Sequence, residues 1–233
     1  MRVVDKASKM QKEILCYLGI IIMLVLLGNS NNTPEVFIEK IFKPIKGNGW
    51  IFHYSGLIAI VGIYYCIRQL NEIKDRYLIK TTFKRVVVTI VLISVFSVMW
   101  VYCIQFYKGF FNNLNSIYLD RDKTSVQFSK NEDEITVNGT IDIVNCSNSI
   151  QKFRMKIKTP PLAIDGIEEE YISLEEEFEL QPKEEKRLVI NKEIKPKIID
   201  QGSEYTSSAF EYVLFNDKDE VVFKGTLEQY HFI

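Results

Sequence analysis

Residues Val86 to Tyr107 run without one charged side chain, closed by Arg85 on one side and Lys108 on the other. As a helix rising 1.5 Å per residue, this run is roughly 33 Å long, enough to cross a hydrocarbon core about 30 Å thick. It reads as a membrane span. The basic residues before it place its start in the cytoplasm, because Lys and Arg are retained on that side. Polar, strand-like sequence from 121 to 233 follows it, and is expected outside.

The near-zero net charge of −1 hides two unlike halves. Residues 1–120 carry about 14 Lys/Arg against 7 Asp/Glu, and residues 121–233 about 15 against 23, a split that marks regions with different surroundings. The acidity of the second half argues against nucleic acid and against direct docking on anionic lipid. Of Cys16, Cys66, Cys103 and Cys146, three lie in apolar runs, and Cys146 is alone in the C-terminal half. An external domain without a disulfide is ordinary for the exterior of many bacteria, and the richness in Ile, Lys and Asn is a compositional hint in the same direction.

Two further apolar runs read as spans. The first begins with Ile14 to Gly28 and continues uncharged through Pro34, although its apolar core is only about 15 residues. The second covers about 49–67, between Lys46 and Arg68. Trp50, Tyr54, Tyr64, Tyr65, Trp100, Tyr102 and Tyr107 cluster near the span ends, where amphipathic rings favour the headgroup level. Basic residues at the N-terminus (Arg2, Lys6, Lys9, Lys12) and between 68 and 85 (Arg68, Lys74, Arg76, Lys80, Lys84, Arg85) place both segments inside. The expectation is therefore a membrane domain over 1–108 with three transmembrane helices at about 14–30, 49–67 and 86–107. A connector follows over 109–120, then an extracytoplasmic domain over 121–233. A cleaved signal peptide is the rival reading of the first run. Pro34 to Phe42 reads as a short surface helix opened by Thr33-Pro34.

In the C-terminal half the period changes to two. Ser125–Ser129, Glu134–Asn145 and Gln151–Lys158 alternate, with Phe153, Met155 and Ile157 set against Arg154, Lys156 and Lys158. Gly139 marks an expected bulge. Ala209–Phe215, a turn at Asn216–Asp219 and Val221–Phe223 read as a hairpin. Six to eight short strands over about 110 residues indicate an antiparallel β-sandwich. Val144-Asn145-Cys146-Ser147-Asn148, then Phe153 to Ile157, then Phe178-Glu179-Leu180-Gln181-Pro182-Lys183-Glu184-Glu185 resembles bacterial immunoglobulin-like modules of the fibronectin type III or cell-adhesion-related kind. The resemblance implies an immunoglobulin-like fold and, at that level, no particular function.

No catalytic constellation stands out. The external His231 lies near the last residue, and neither Ser203 nor Ser207-Ser208 resembles a nucleophile elbow. Glu168-Glu169-Glu170 with Glu175-Glu176-Glu177 and Glu179 could hold Ca²⁺, but the stretch lacks EF-hand spacing and reads better as a solvated strand edge. His53 and Cys103, both near outer span ends, could form a metal or redox pair, although an interfacial His is the simpler reading. Asn31, Asn138 and Asn145 begin N-x-Ser/Thr acceptor patterns that an Asn-rich bacterial chain carries by chance. Cys146 is either a reactive external thiol or a thiol without a role.

The sequence thus points to a non-enzymatic integral membrane protein with no cofactor or metal. It presents an external binding module to a protein partner, as an accessory subunit of a membrane or envelope complex. Two alternatives stay open: a sensor signalling through the basic inner loop 68–85, and a small transport- or immunity-type component whose spans self-associate.

Overall fold

The computed structural model describes residues 2–47, 50–73, 79, 81–130, 134–159, 170–194, 204–207 and 210–225. Two compact units form. One comprises Met1–Ser30 and Glu35–Tyr102, and the other Asn31–Pro34 and Cys103–Ile233.

In the first unit, α1 (Arg2–Leu26) is followed by the one-turn α2 (Phe37–Ile41), whose N-cap is Val36 rather than Thr33. A two-stranded hairpin of β1 (Ile45–Gly47) and β2 (Trp50–Phe52) leads to α3 (Ser55–Glu72), and α4 spans Thr82–Lys108. Helices α1 and α3 pack antiparallel, because Gly19 of α1 faces Cys66 while Met23 faces Gly62 of α3. A Cβ on Gly19 would come within 2.9 Å of the Cys66 sulfur, and one on Gly62 within 2.8 Å of the Met23 methyl. Each glycine thus makes room for a sulfur-bearing side chain of the other helix, and Ile20, Leu24 and Leu70 fill the seam.

The expected architecture of three transmembrane helices followed by an immunoglobulin-like sandwich is corrected here. Among the described residues only Thr82–Lys108 is long and apolar enough to cross a membrane. The first expected span, 14–30, belongs to a helix whose earlier turns carry Lys9, Lys12 and Glu13. The second, 49–67, opens as strand: Trp50, Ile51 and Phe52 pair with Gly47, Lys46 and Ile45. Aromatic and β-branched residues suit that pairing, and in a hydropathy count they look the same as the start of a span. The helix that follows starts only at Ser55 and ends with Arg68 and Glu72, which shortens its apolar length.

Beyond the last turns of α4, the described residues of the second unit form two antiparallel four-stranded sheets. Its strands are β3 (Ile117–Lys130), β4 (Ile135–Asn145), β5 (Gln151–Lys158), β6 (Tyr171–Leu180), β7 (Glu185–Ile194), β8 (Glu204–Ser207), β9 (Tyr212–Phe215) and β10 (Glu220–Phe223). The sheet orders are β10-β9-β5-β6 and β7-β4-β3-β8. Both sheets feed one apolar core. Val126, Phe128, Ile141 and Leu188 come from one sheet, and Phe153, Met155, Tyr212 and Phe223 from the other. Alternation along β5 is as expected: Phe153, Met155 and Ile157 are buried, and Lys152 and Arg154 are exposed. The hairpin β9–β10 forms, its turn closed by Asn216 Oδ1, which accepts from the backbone N–H groups of Lys218 (2.9 Å) and Asp219 (2.8 Å). Gly139 has φ +157, and a Cβ there would strike the Ser125 carbonyl oxygen. The irregularity beside it lies on the partner strand, between Asp120 and Ser125 of β3. Strand β3 also starts within the expected connector, at Ile117.

Candidate functional site

Helix α4 presents apolar side chains in nearly every direction. Val98 is 61% exposed and Phe106 71%, and only 6% of its most apolar stretch is buried. At its start Arg85 is buried against Glu13 of α1; the two form an ion pair, and Arg85 Nε also donates to the Ile79 carbonyl at 3.1 Å. Fifteen residues on in each segment, Gly28, just past the end of α1, lies under the Trp100 ring, and Trp100 Nε1 donates to the Asn29 carbonyl at 3.3 Å. These two contacts set the end of α1 and the body of α4 in parallel register. A buried ion pair gains its Coulomb energy at the cost of desolvation, so the pair itself adds little net stability, while removing either partner would leave a charge buried.

Elsewhere in the first unit, Glu39 accepts from Ser55 Oγ (3.2 Å) and shares a hydrogen bond with His53 Nδ1 (2.7 Å). His53 is therefore partnered by a carboxylate. Cys103, the other half of the suggested His–Cys pair, is an exposed free thiol.

The second unit contains the last turns of α4, Cys103–Lys108, and the four-residue segment Asn31–Pro34. Lys108 joins them. Its ammonium is buried and donates to Asn32 Oδ1 (2.7 Å), the Ile117 carbonyl (2.9 Å) and the Asn115 carbonyl (3.3 Å), and it lies 5.2 Å from the centroid of the Phe223 ring. An ammonium has three donor protons, and three oxygens meet them. Next to it the Asn31 side-chain amide pairs with the backbone of Leu119, and the Asn32 carbonyl accepts from the Lys224 N–H at 2.9 Å. Asn31 adopts φ +64, a left-handed conformation that Asn tolerates better than most residues.

Two other polar centres hold backbone in the same manner. Arg121 donates to the carbonyls of Phe210 (3.0 Å), Phe223 (3.2 Å) and Lys224 (2.6 Å), and burial lowers its pKa from the ordinary value. Asn145 is fully buried. Its Nδ2 donates to the carbonyls of Ser149 (2.8 Å) and Gln181 (3.0 Å), and its Oδ1 accepts from the Ser147 N–H (3.0 Å) and hydroxyl (2.8 Å).

Most residues singled out from sequence have structural roles. Asn31 and Asn145, acceptors in two N-x-Ser/Thr patterns, are tied to backbone, while Asn138 is exposed. Cys146 is buried, burial pushes its thiol pKa up, and its carbonyl accepts from Lys183 Nζ. Glu175–Glu177 lie on β6, an edge strand. There three residues stand opposite Arg154 alone, since Phe178 pairs with Phe153 and Leu174 with Met155. This acidic bulge breaks the ladder that another strand would need. No group of three or more His, Cys, Asp and Glu suited to a metal occurs among the described residues. Glu168, Glu169, Ser203, Ser208, His231 and most of the inner loop 68–85 (74–78 and 80) lie outside the described residues. Lys108 and Arg85 were legible as the boundaries of an apolar run, Arg85 also as one of the basic residues between 68 and 85, and no signal pointed to the pairing with Glu13.

No protein-family model matches the chain. No curated protein and no solved structure shows a significant match either. The likeness to immunoglobulin-like modules thus has no support beyond the two antiparallel sheets themselves.

Proposed function

We propose that this chain is a non-enzymatic membrane protein in which α4 crosses the bilayer and carries the β unit outside as a binding module for a protein partner. In this reading it serves as an accessory subunit of a membrane or envelope complex. The observation that carries the reading is α4 itself, whose apolar side chains are almost entirely uncovered along a length sufficient to span. Lys84 and Arg85 at its start favour a cytoplasmic N-terminal end. Aromatic residues at the other end (Tyr102, Phe106 and Tyr107) suit a headgroup layer. The buried polar groups of the β unit satisfy backbone carbonyls and turns, which is scaffold work and leaves the outer strand faces to bind. Protease added to intact cells or protoplasts should remove the β unit while leaving a protected fragment that contains α4. Full protection of the β unit would overturn the orientation.

A second reading, a sensor, is favoured by Lys108, which ties the last turn of α4 to Asn32 and to the start of β3. A ligand that strained this junction would act on the helix directly. Lys108→Met should then abolish signalling while partner binding in detergent extracts persists, whereas loss of both together favours the first reading.

A further inference from the structure

Strand β7 ends its sheet, and the direction of its backbone groups follows from two hydrogen bonds at the start of the ladder. The Asn145 N–H donates to the Glu184 carbonyl at 2.9 Å, and the Cys146 N–H to the Ser116 carbonyl at 3.0 Å. Successive residues of β4 therefore bond β7 and β3 in turn, the antiparallel alternation. Carried along the register from Ile143↔Lys186 to Ile135↔Ile194, this makes the even-numbered residues of β7 bond β4. Arg187, Val189, Asn191 and Glu193 turn their N–H and C=O groups the other way, where no strand among the described residues meets them. Val189, in the middle of this edge, is 71% exposed.

The neighbouring edge of the other sheet is closed. Lys192 Nζ donates to the Ser173 carbonyl (2.8 Å) and Lys186 Nζ to the Glu179 carbonyl (3.1 Å), and the acidic bulge of β6 lies between them. A groove runs between the two edges, with Leu174, Phe178 and Ile190 as its apolar lining and Glu176 and Glu193 as its acidic residues. Charge along it is unevenly matched. Arg187 pairs with Asp142 (2.9 Å) and Glu185 with Lys123 (2.8 Å), while Glu176 and Glu193 have no cationic partner among the described residues.

We infer that β7 accepts an extended segment of a protein partner as an added strand, apolar at its centre and carrying Lys or Arg to meet Glu176 and Glu193. The inference rests on the reading of the β unit as a binding module and gives that module a site. Main-chain bonds to the four outward residues supply affinity, and alternate side chains supply specificity. One row of the added strand lies beside Val189, and the other over Leu174, Phe178 and Ile190. A second copy fits worse. Docked through β7, it would bring its own β6 alongside and set one acidic bulge against another.

The full chain in mild detergent is mixed with the synthetic peptide acetyl-Lys-Lys-Val-Thr-Val-Lys-Lys-amide, and amide hydrogen exchange is followed along β7. Exchange at Arg187, Val189, Asn191 and Glu193 should slow by about tenfold. The same peptide with Glu for Lys, or N-methylated through its centre, should leave it unchanged. Slowing by the Glu peptide overturns the charge assignment, and slowing by the N-methylated one overturns strand addition. No slowing by the Lys peptide at about 1 mM overturns the site. Val189→Pro removes one outward N–H and spares the β4 ladder, because an edge strand tolerates Pro where its N–H faces solvent. In cells crosslinked before extraction, the parent chain should hold a partner through a basic segment, and Val189→Pro should lose it with circular dichroism unchanged. If the dichroism changes, the peptide series decides alone. A partner kept by both forms overturns the β7 site and leaves the binding-module reading standing. No partner on the parent chain overturns that reading and the site with it. A doubled mass of the purified chain that Val189→Pro abolishes makes the occupant a second copy and overturns the assignment.

Discussion

The side-chain amide of Asn31 pairs with both backbone groups of Leu119: Nδ2 donates to the Leu119 carbonyl at 2.8 Å, and Oδ1 accepts from the Leu119 N–H at 3.1 Å. Leu119 lies on β3 upstream of the residues that pair with β8, Val126–Ser129, so Asn31 serves that stretch as a one-residue strand. Asn31→Ala removes both bonds and also forces a Cβ residue to hold φ +64. Asn31→Gly keeps the backbone free and removes only the bonds. Both variants should lower the stability of the β unit by about 1–3 kcal/mol through the unpaired backbone groups, with Ala the worse. Urea melts in mild detergent would measure this, and a Gly variant as stable as the parent would show that the pairing contributes nothing.

Arg85 and Glu13 offer a double-mutant test of register. Arg85→Ala leaves a buried carboxylate without its partner and should cost about 3–5 kcal/mol. Replacing both, as Glu13→Gln with Arg85→Met, should recover much of that loss, because no uncompensated charge stays buried. Unfolding in graded SDS from mixed micelles gives the comparison. Additive losses in the double variant would mean that the two residues do not act as a pair.

The core of the β unit has a two-residue period that can be tested along one strand. Phe153→Ala should cost about 3–5 kcal/mol, since the ring is buried between the sheets and leaves a cavity. Lys156→Ala should cost more than a bare surface site, by about 0.5–1 kcal/mol, because its ammonium stands 4.3 Å from the Phe215 ring centroid. Lys152→Ala, outward and exposed, should stay within about 0.5 kcal/mol. Equal effects at positions 153 and 152 would refute the assignment of faces.

Alkali should unfold the β unit in a defined window. Tyr171 donates to Glu211 Oε1 at 2.5 Å, and this bond, with burial adding to it, pushes its pKa up to about 12. Burial, and then Asp120 and Asp122, push Tyr118 up to about 12 as well. Both folded values lie above the unfolded value near 10, so the folded state holds these protons more tightly. Their stabilisation is complete below about pH 10 and is lost between about 10 and 12. Absorbance at 295 nm should show delayed tyrosinate formation that coincides with loss of β-type circular dichroism. In Tyr171→Phe the midpoint should shift. Ordinary titration near 10 in a folded protein would contradict both assignments.

What could be read from the chain divides along physical lines. Gln151–Lys158 was legible because a half-buried strand imprints its alternation directly on the residues. Residues 50–52 were misread because hydropathy is blind to whether Trp, Ile and Phe extend as a strand or coil as a helix. Ile117–Asp120 was hidden for the opposite reason: it follows an Asn-rich stretch and shows no alternation. Lys108 read as the polar end of a span, and its three oxygens lie seven to seventy-six residues away, a convergence that no local pattern can signal. Asn31 and Asn145 matched a modification motif whose spacing is common, while Asn31 pairs with the distant backbone of Leu119 and Asn145 joins its own turn at Ser147 and Ser149 to the distant Gln181 carbonyl.

The acidic bulge of β6 has a meaning for a population of molecules. If α4 crosses a membrane as proposed, copies held in that plane cannot tumble freely and collide repeatedly in the same orientation, so an open sheet edge is offered to its twin at every encounter. Glu176 and Glu177, exposed on a strand whose ladder is already broken opposite Arg154, make that encounter both repulsive and out of step. Crowding therefore does not turn neighbouring copies into one continuous sheet through this edge, and lateral order has to come from some other surface.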